Sequence, residues 1–478
     1  MATALQKTLT PVQFFTMSFG CIIGVGWVIA LPSWLRQAGP GGAALAFLVG
    51  ALAMMLVGVC YAELATALPV TGGEVAYAYF LFGPRTSFAT GWFLALSSIA
   101  TTAFEAISLG WVAGALVPGL EGPPLYSVAG EEVRAGSLAL GLAGTLLLTW
   151  LNYRGARDAA LVQDVMTWGL LATSIVVVVA SFASGSVAHL QPLFAETPDR
   201  PFWRGVLTVM ATAPFWYAGF DVIPQMMGER AAGSSLRKAG AMIMVSIAVA
   251  AAFYVLVILA CSMVMPWTQL VRLPMPAVDG FRQALHSEAL ARTLLAAALL
   301  GLLTTWNTVF LFASRVLFTL GHGRLITARF ADVHPAHGSP STSVVFVGLV
   351  SAAGVLLGRG ALMPIVNVAG VCLAGAALLI CIGVVRFRRT DPAAERPYRV
   401  PGGEATAVLA AVVSLWMVVW ALVEPGLSSG QLPLEWLVLG GWGVLGVALW
   451  LTGRRTRRSL DESERRRLLI SAAAKEAV

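Results

Sequence analysis

Gly20, Gly24 and Gly26 fall within one apolar run, Phe19-Gly20-Cys21-Ile22-Ile23-Gly24-Val25-Gly26-Trp27, where a helix in lipid is least free to be interrupted. A glycine inside a helix costs about 1 kcal/mol relative to alanine, and backbone released from helical pairing in hydrocarbon must find partners in protein, water or a ligand. The run therefore marks a binding site built of backbone. Beyond Ile23, Gly24, Val25 and Gly26 the following half-helix exposes N–H groups and the positive end of its dipole, which suit a carboxylate. The preceding half-helix ends in carbonyls near Cys21 and Ile22, which suit an ammonium group. A second interruption, Ala213-Pro214-Phe215-Trp216-Tyr217-Ala218-Gly219-Phe220-Asp221, sets a proline, a glycine and an acid in mid-segment. Either alone reads as a kink or a close helix contact. Two at corresponding places in two halves of a chain point to a transport site at the bilayer midplane, made of discontinuous helices. With further carbonyls near Phe215 and Ala218, and small residues at Ala218 and Gly219 that leave room, the pattern fits a zwitterion such as an amino acid.

Two acids lie within apolar segments, Glu105 and Asp221. A carboxylate at the bilayer centre costs about 2.5 kcal/mol or more, so each needs a reason to be there. Both are candidates to carry a coupling proton. The competing readings are a protonated structural acid for Glu105 and a cap on the second half-helix for Asp221. Glu229 reads as a partner for nearby basic residues. Thr304, Thr305 and Thr308, with first-segment carbonyls, form a possible sodium site, although hydroxyls in membrane helices more often bond their own backbone. Proton coupling or simple exchange is placed ahead of sodium. No nucleophile with a positioned base and no metal cluster is found, so no enzyme, cofactor or metal is expected. His334-x-x-His337 is too sparse for a metal centre.

These residues need helices to hold them. Of 478 residues, 58% are hydrophobic and 12% charged, with mean hydropathy +0.80; soluble domains carry about 25% charged residues. The chain reads as an all-α polytopic membrane protein. Segments long enough to cross about 30 Å of hydrocarbon, roughly 20 residues each, fall near 12–36, 42–66, 86–118, 135–153, 159–184, 203–228, 238–265, 290–320, 342–358, 361–385, 404–424 and 434–453, twelve in all. The first reads as a retained helix rather than a signal peptide. Most of the 31 Lys and Arg residues, including the cluster from Arg454 to Lys475, then fall on the side of the N-terminus, which puts both termini in the cytoplasm and the chain in the cytoplasmic (inner) membrane. The net charge of +7 reports this topology and asks for no nucleic acid. The tail is expected to lie on an anionic leaflet. Pro69 to Tyr79 reads as an amphipathic loop, either an interfacial anchor or an inner gate.

The chain resembles the amino acid–polyamine–organocation (APC) superfamily over nearly its whole length. Gly20-Cys21-Ile22-Ile23-Gly24-Val25-Gly26 followed by Pro32 looks like that family's G-x-I-I-G-S-G signature. Pro69-Val70-Thr71-Gly72-Gly73-Glu74-Val75-Ala76-Tyr77 resembles its P-x-[ST]-G-G-x-Y loop with the tyrosine displaced. Asn152, Gly155, Gln163, Phe215 to Gly219, Glu229, Ser314-Arg315 and Arg396-Pro397-Tyr398-Arg399-Val400-Pro401 extend the match. The resemblance implies a LeuT-like fold of twelve transmembrane helices: a 5+5 inverted repeat over 12–184 and 203–385, discontinuous first and sixth helices, two peripheral helices over 404–453, a short N-terminus 1–11 and a basic tail 454–478. It implies a permease that moves amino acids or related amines by alternating access as a monomer or weak homo-oligomer, with Phe215 as the aromatic gate and Trp216 packed beside it. Alternatives are a polyamine or organic amine transporter, set second because an amine would leave the first-segment donors unpaired, and a non-transporting sensor of the same fold. Two departures stand out. Val25 replaces the signature's small hydroxyl residue, and Leu170 stands where many relatives place a lysine.

Overall fold

The computed structural model describes residues 9–470 except 71, 118, 155–158, 197–200, 232, 274, 285 and 430–431. Thr71 and Gly155, like the basic residues Lys7, Arg157, Arg200 and Lys475, lie outside the described residues. Helix α1 (Pro11–Ile22) starts on a capping box: the Gln13 amide donates to the Thr10 hydroxyl, and the Thr10 amide donates to the Gln13 side chain. It ends at Ile23, and α2 (Gly26–Ala67) resumes three residues on. At 1.5 Å per residue α2 would run about 63 Å, twice the hydrocarbon thickness. It does not run straight. Gly39 has φ 73° and ψ 171°, Pro40 follows, and the rings of Trp34 and Phe47 meet with centroids 4.6 Å apart, where a straight helix would hold them about 20 Å apart. The element is a helical hairpin.

Helix α3 (Gly73–Phe82) joins α4 (Pro84–Leu116) through Gly83, whose φ of 86° turns the chain. A hairpin of β1 (Pro124–Val128) and β2 (Glu131–Arg134), absent from the sequence reading, pivots on Ala129 and Gly130, both at positive φ as a two-residue turn requires. Helices α5 (Ala135–Arg154) and α6 (Ala159–Ser184) follow. The sixth predicted segment is three short pieces: α7 (Phe202–Ala211), α8 (Ala213–Trp216) and α9 (Val222–Gln225). Then come α10 (Leu236–Met263), α11 (Trp267–Leu270), α12 (Pro276–Ala284), α13 (Glu288–His322), α14 (Ser341–Val355), α15 (Leu362–Thr390), α16 (Glu404–Ser429), α17 (Leu434–Thr452), α18 (Arg454–Arg458) and α19 (Glu462–Ile470).

Among the described residues nine helices are long and apolar enough to cross a membrane, and α1, α7 and α14 are shorter apolar helices. The chain is a multi-pass membrane protein. In α4, 89% of the most apolar window is buried, against 17% in α17; α4 is therefore the central post and α17 faces lipid. A helix so enclosed must satisfy its polar side chains internally. Ser98, Thr101, Thr102 and Ser108 do so by donating to the carbonyl four residues back.

A buried acid missing from the sequence reading anchors the segment before α16. The fully buried Glu63 of α2 accepts from Arg388 Nε at 2.8 Å and from the Val400 amide at 2.7 Å, with Arg396 3.6 Å away. Arg396-Pro397-Tyr398-Arg399-Val400-Pro401 is thus a strap tied to α2. One expectation changes. Helix α3 is no interfacial anchor, because residues 73–79 are all buried. The described part of the tail also touches protein: Arg465 donates to the Gly323 carbonyl at 3.0 Å, Leu469 packs on Gly323, and Arg466 covers the Phe80 ring.

Candidate functional site

The first break begins where Ile23, at φ −96° and ψ 86°, leaves the helix after its amide donates to Phe19. Val25 reopens helical pairing by accepting from Val28 at 3.0 Å. Between them Gly24 has no room for a side chain: a Cβ there would lie 2.6 Å from Glu105 Oε1 and 2.9 Å from Thr305 Oγ1. The second break follows α8, which Pro214 starts. Gly219 adopts φ 124°, donates its amide to Asp221 Oδ1 at 2.8 Å, and would bring a Cβ to 2.8 Å from the Ile22 nitrogen. The two breaks are in direct contact, and glycine is what permits it.

The carbonyls freed at the first break already have donors. Thr305 Oγ1 reaches Gly20 and Cys21 at 3.2 and 3.1 Å, and Tyr254 Oη lies 3.1 Å from both the Ile22 and Trp216 carbonyls. One phenol on α10 therefore ties the two broken helices together. The donor side of the break has an acid against it as well. Glu105 Oε1 fills the space a Cβ at Gly24 would need, while Glu105 Oε2 is buried without a partner. The protein's own carboxyl sits where the sequence suggests a substrate carboxylate.

Around these groups lies a cavity of about 50 Å³. Of the residues predicted for the site, Cys21, Ile22, Gly24, Gly26, Phe215, Trp216, Ala218, Gly219, Glu105, Asp221 and Thr305 line it. Ile23 and Val25 are fully buried beside it in the apolar core. Thr304 and Thr308 donate to Gly301 and Thr304 of their own helix, so among the threonines only Thr305 faces the break. Phe215 stacks edge-on with Phe104 and Trp216, at ring-centroid separations of 5.6 and 4.8 Å. The Trp216 indole donates to Thr212, and its ring blocks any side chain at Gly26. Two carboxyl groups line the cavity and no Lys, Arg or His does.

Neighbouring elements hold this geometry. On α6, Thr167 donates to the Thr16 carbonyl at 3.3 Å, and Thr16 donates to the Asp164 carboxylate, while Leu170 is buried in the core. Arg315 pairs with Glu229 at 3.6 Å, as expected of that glutamate. The sequence reading missed Tyr254, Phe104 and Ser97, Ser98 and Thr101 of the lining. Tyr254 had no local signal, because its role depends on where α10 crosses the two breaks.

The chain matches the family model described as amino acid permease over residues 9–445. It is 25% identical to the methylthioribose transporter of Bacillus subtilis (strain 168) over 96% of each chain. It is 26% identical to a branched-chain amino acid permease of the same organism, over 96% of this chain and 95% of that one. With the human cationic amino acid transporter 4 it shares 25% identity over 82% of this chain and 62% of the relative.

Proposed function

Because this chain belongs to the amino acid permease family, we propose that it moves an amino acid or a closely related amino compound across the cytoplasmic membrane by alternating access. Twelve spans form two inverted five-helix repeats, 12–184 and 203–385, with 404–453 peripheral and both termini cytoplasmic. The observation that carries the reading is the meeting of two broken helices at one small cavity lined by Glu105 and Asp221 and by no basic group. Backbone at such breaks offers fixed dipoles to a charged solute without burying a free ion. Phe215, in the lining of this cavity, is the side chain to move as the site opens and closes. Coupling is assigned to a proton or to exchange, with Glu105 and Asp221 as candidate carriers. Thr305 alone of the threonines is placed to serve sodium.

Counterflow of radiolabelled amino acids and amines into liposomes containing the purified protein tests this. Flux of at least one amino acid is expected. Binding without flux would favour a sensor, and no response to any amino acid would sink the leading reading.

One observation favours a second reading. Since the Glu105 carboxyl already stands against the first break at Gly24, an amine without a carboxylate would not leave that break without an acidic partner, and the objection to amine substrates drawn from the sequence loses its force. The relatives are named for methylthioribose, branched-chain amino acids and cationic amino acids, so the lining must set the substrate. Competition between an amino acid and its decarboxylated amine separates the readings: the amine should compete at least equally if Glu105 stands in for a substrate carboxylate.

A further inference from the structure

Glu74 is a second buried acid outside the cavity, and nothing in the transport reading uses it. It lies in the first turn of α3, fully buried, and its Oε1 has no hydrogen-bond partner. Its other oxygen accepts from Gln225 Nε2 at 2.8 Å. Gln225 stands four residues after Asp221, one helical turn along the same short helix. The contact is locked from both sides: a side chain at Gly73 would lie 2.5 Å from Gln225, and the Tyr77 hydroxyl donates to Pro224 at 3.4 Å. The remaining groups that face Glu74 are neutral. They are the Tyr61 phenol of α2 and, beyond it, the Cys381 thiol of α15. Ser87 of α4 donates to Val75. Guanidinium groups near α3 are engaged elsewhere: Arg465 donates to the Gly323 and Arg457 carbonyls, Arg466 covers the Phe80 ring, and Arg315 pairs with Glu229. Among the described residues no cation pairs with Glu74.

Gln225 thus links Glu74 to the helix that Asp221 begins, and two buried carboxyls joined in this way with no countercharge cannot both ionise at modest cost. Burial first, and the Asp221 charge second, push Glu74 up to about 8. Sodium fits poorly, because one oxygen of each carboxyl already accepts from an N–H donor.

We propose that Glu74 and Asp221 form a carboxyl pair that binds one proton between them, and that this pair is the station where the coupling proton passes between the cavity and the face of the molecule that carries α3. Asp221 lines the cavity and Glu74 lies behind it, so one proton moving from Asp221 to Glu74 leaves the first carboxyl charged and the second neutral. The coupling role rests on the transporter reading above; the shared proton does not.

Infrared titration of the purified full-length protein tests the pair directly. A protonated-carboxyl C=O band should titrate near pH 8, be absent in Glu74→Gln, and titrate at lower pH in Asp221→Asn, where the neighbouring charge is gone. A band retained in Glu74→Gln, or one that titrates unchanged in Asp221→Asn, overturns the pair. In proteoliposomes, Glu74→Gln should keep counterflow within about twofold, yet lose the roughly tenfold accumulation that one proton per substrate allows for each pH unit of gradient. Accumulation at the wild-type level, or loss of counterflow together with accumulation, overturns the coupling role. Absence of counterflow in the wild type would sink the transporter reading and with it the coupling role, leaving the shared proton to be decided by the infrared titration.

Discussion

Tyr254 gives one hydroxyl to two carbonyls, those of Ile22 and Trp216, and by doing so sets the distance between the two broken helices. Phenylalanine would keep the ring contacts with Phe47 and Trp34 and leave both carbonyls without this donor. The expected loss is about 1–3 kcal/mol, the cost of stranding buried acceptors, read as a lower melting temperature of the purified protein. An unchanged melting temperature would mean that water replaces the phenol. Gly219 makes a second test. Alanine there must accept a φ of 124° and a Cβ 2.8 Å from the Ile22 nitrogen, so Gly219→Ala should abolish counterflow even where the protein still folds. Glu105 is testable by charge alone. Glutamine keeps the size of the side chain and an acceptor oxygen but cannot carry a proton, and transport by Glu105→Gln should lose its pH dependence. If that dependence is unchanged in proteoliposomes, Glu105 is not the carrier. Most residues of this site were readable in sequence because glycine, proline and acids in mid-span are anomalies of composition. Tyr254 and Phe104 were not, since an aromatic in an apolar helix is ordinary until its neighbour across the fold is known.

The breaks hold their shape because longer elements pin them. Glu63 receives Arg388, with Arg396 beside it, and the Val400 amide in a buried cluster that fixes the strap between α15 and α16 to the end of the α2 hairpin. Removing one side of such a cluster leaves an uncompensated buried charge and costs about 3–5 kcal/mol, more than the pair itself contributes. Glu63→Ala should therefore lower the melting temperature sharply, and adding Arg388→Met should recover part of the loss. Additive losses would show that the two act separately. Helix α3 makes a pH-dependent prediction. An acid raised in the folded state to about 8, from an ordinary value of 4.5, favours the fold at low pH, and that contribution is lost as pH rises from 4.5 through 8. Amide exchange across α3, corrected for its intrinsic rate, should speed up between about pH 6 and pH 9 in the wild type and stay flat in Glu74→Gln. Elements of this kind were only partly visible beforehand. Hydropathy marks where helices must lie, but it cannot show that α3, short and apolar, is buried from Gly73 to Tyr79, or that Arg465 of the tail helix reaches the Gly323 carbonyl.

At the scale of the whole molecule, orientation is set by where arginine and lysine fall, because positively charged loops resist translocation. On the proposed twelve-span topology the β1–β2 hairpin and the tail helix α19 lie on opposite sides of the membrane. The protein is well suited to a direct test, because its five cysteines are all buried and a membrane-impermeant maleimide should leave the unaltered chain unlabelled. A cysteine at Glu132, exposed in the hairpin, should react in intact cells, and a cysteine at Ser463, exposed on α19, should react only after the membrane is opened. Neither change touches a buried group, so both variants should fold and insert as the parent does. The reverse pattern would invert the topology. The α3 helix, and with it the Glu74 end of the proposed proton station, would then face the outside. Labelling of both positions in intact cells that exclude the reagent would put them on one side of the membrane and make the number of spans between them even. A buried control at Cys261, unreactive throughout, distinguishes an opened membrane from an unfolded protein, so the pair of labels reads orientation alone.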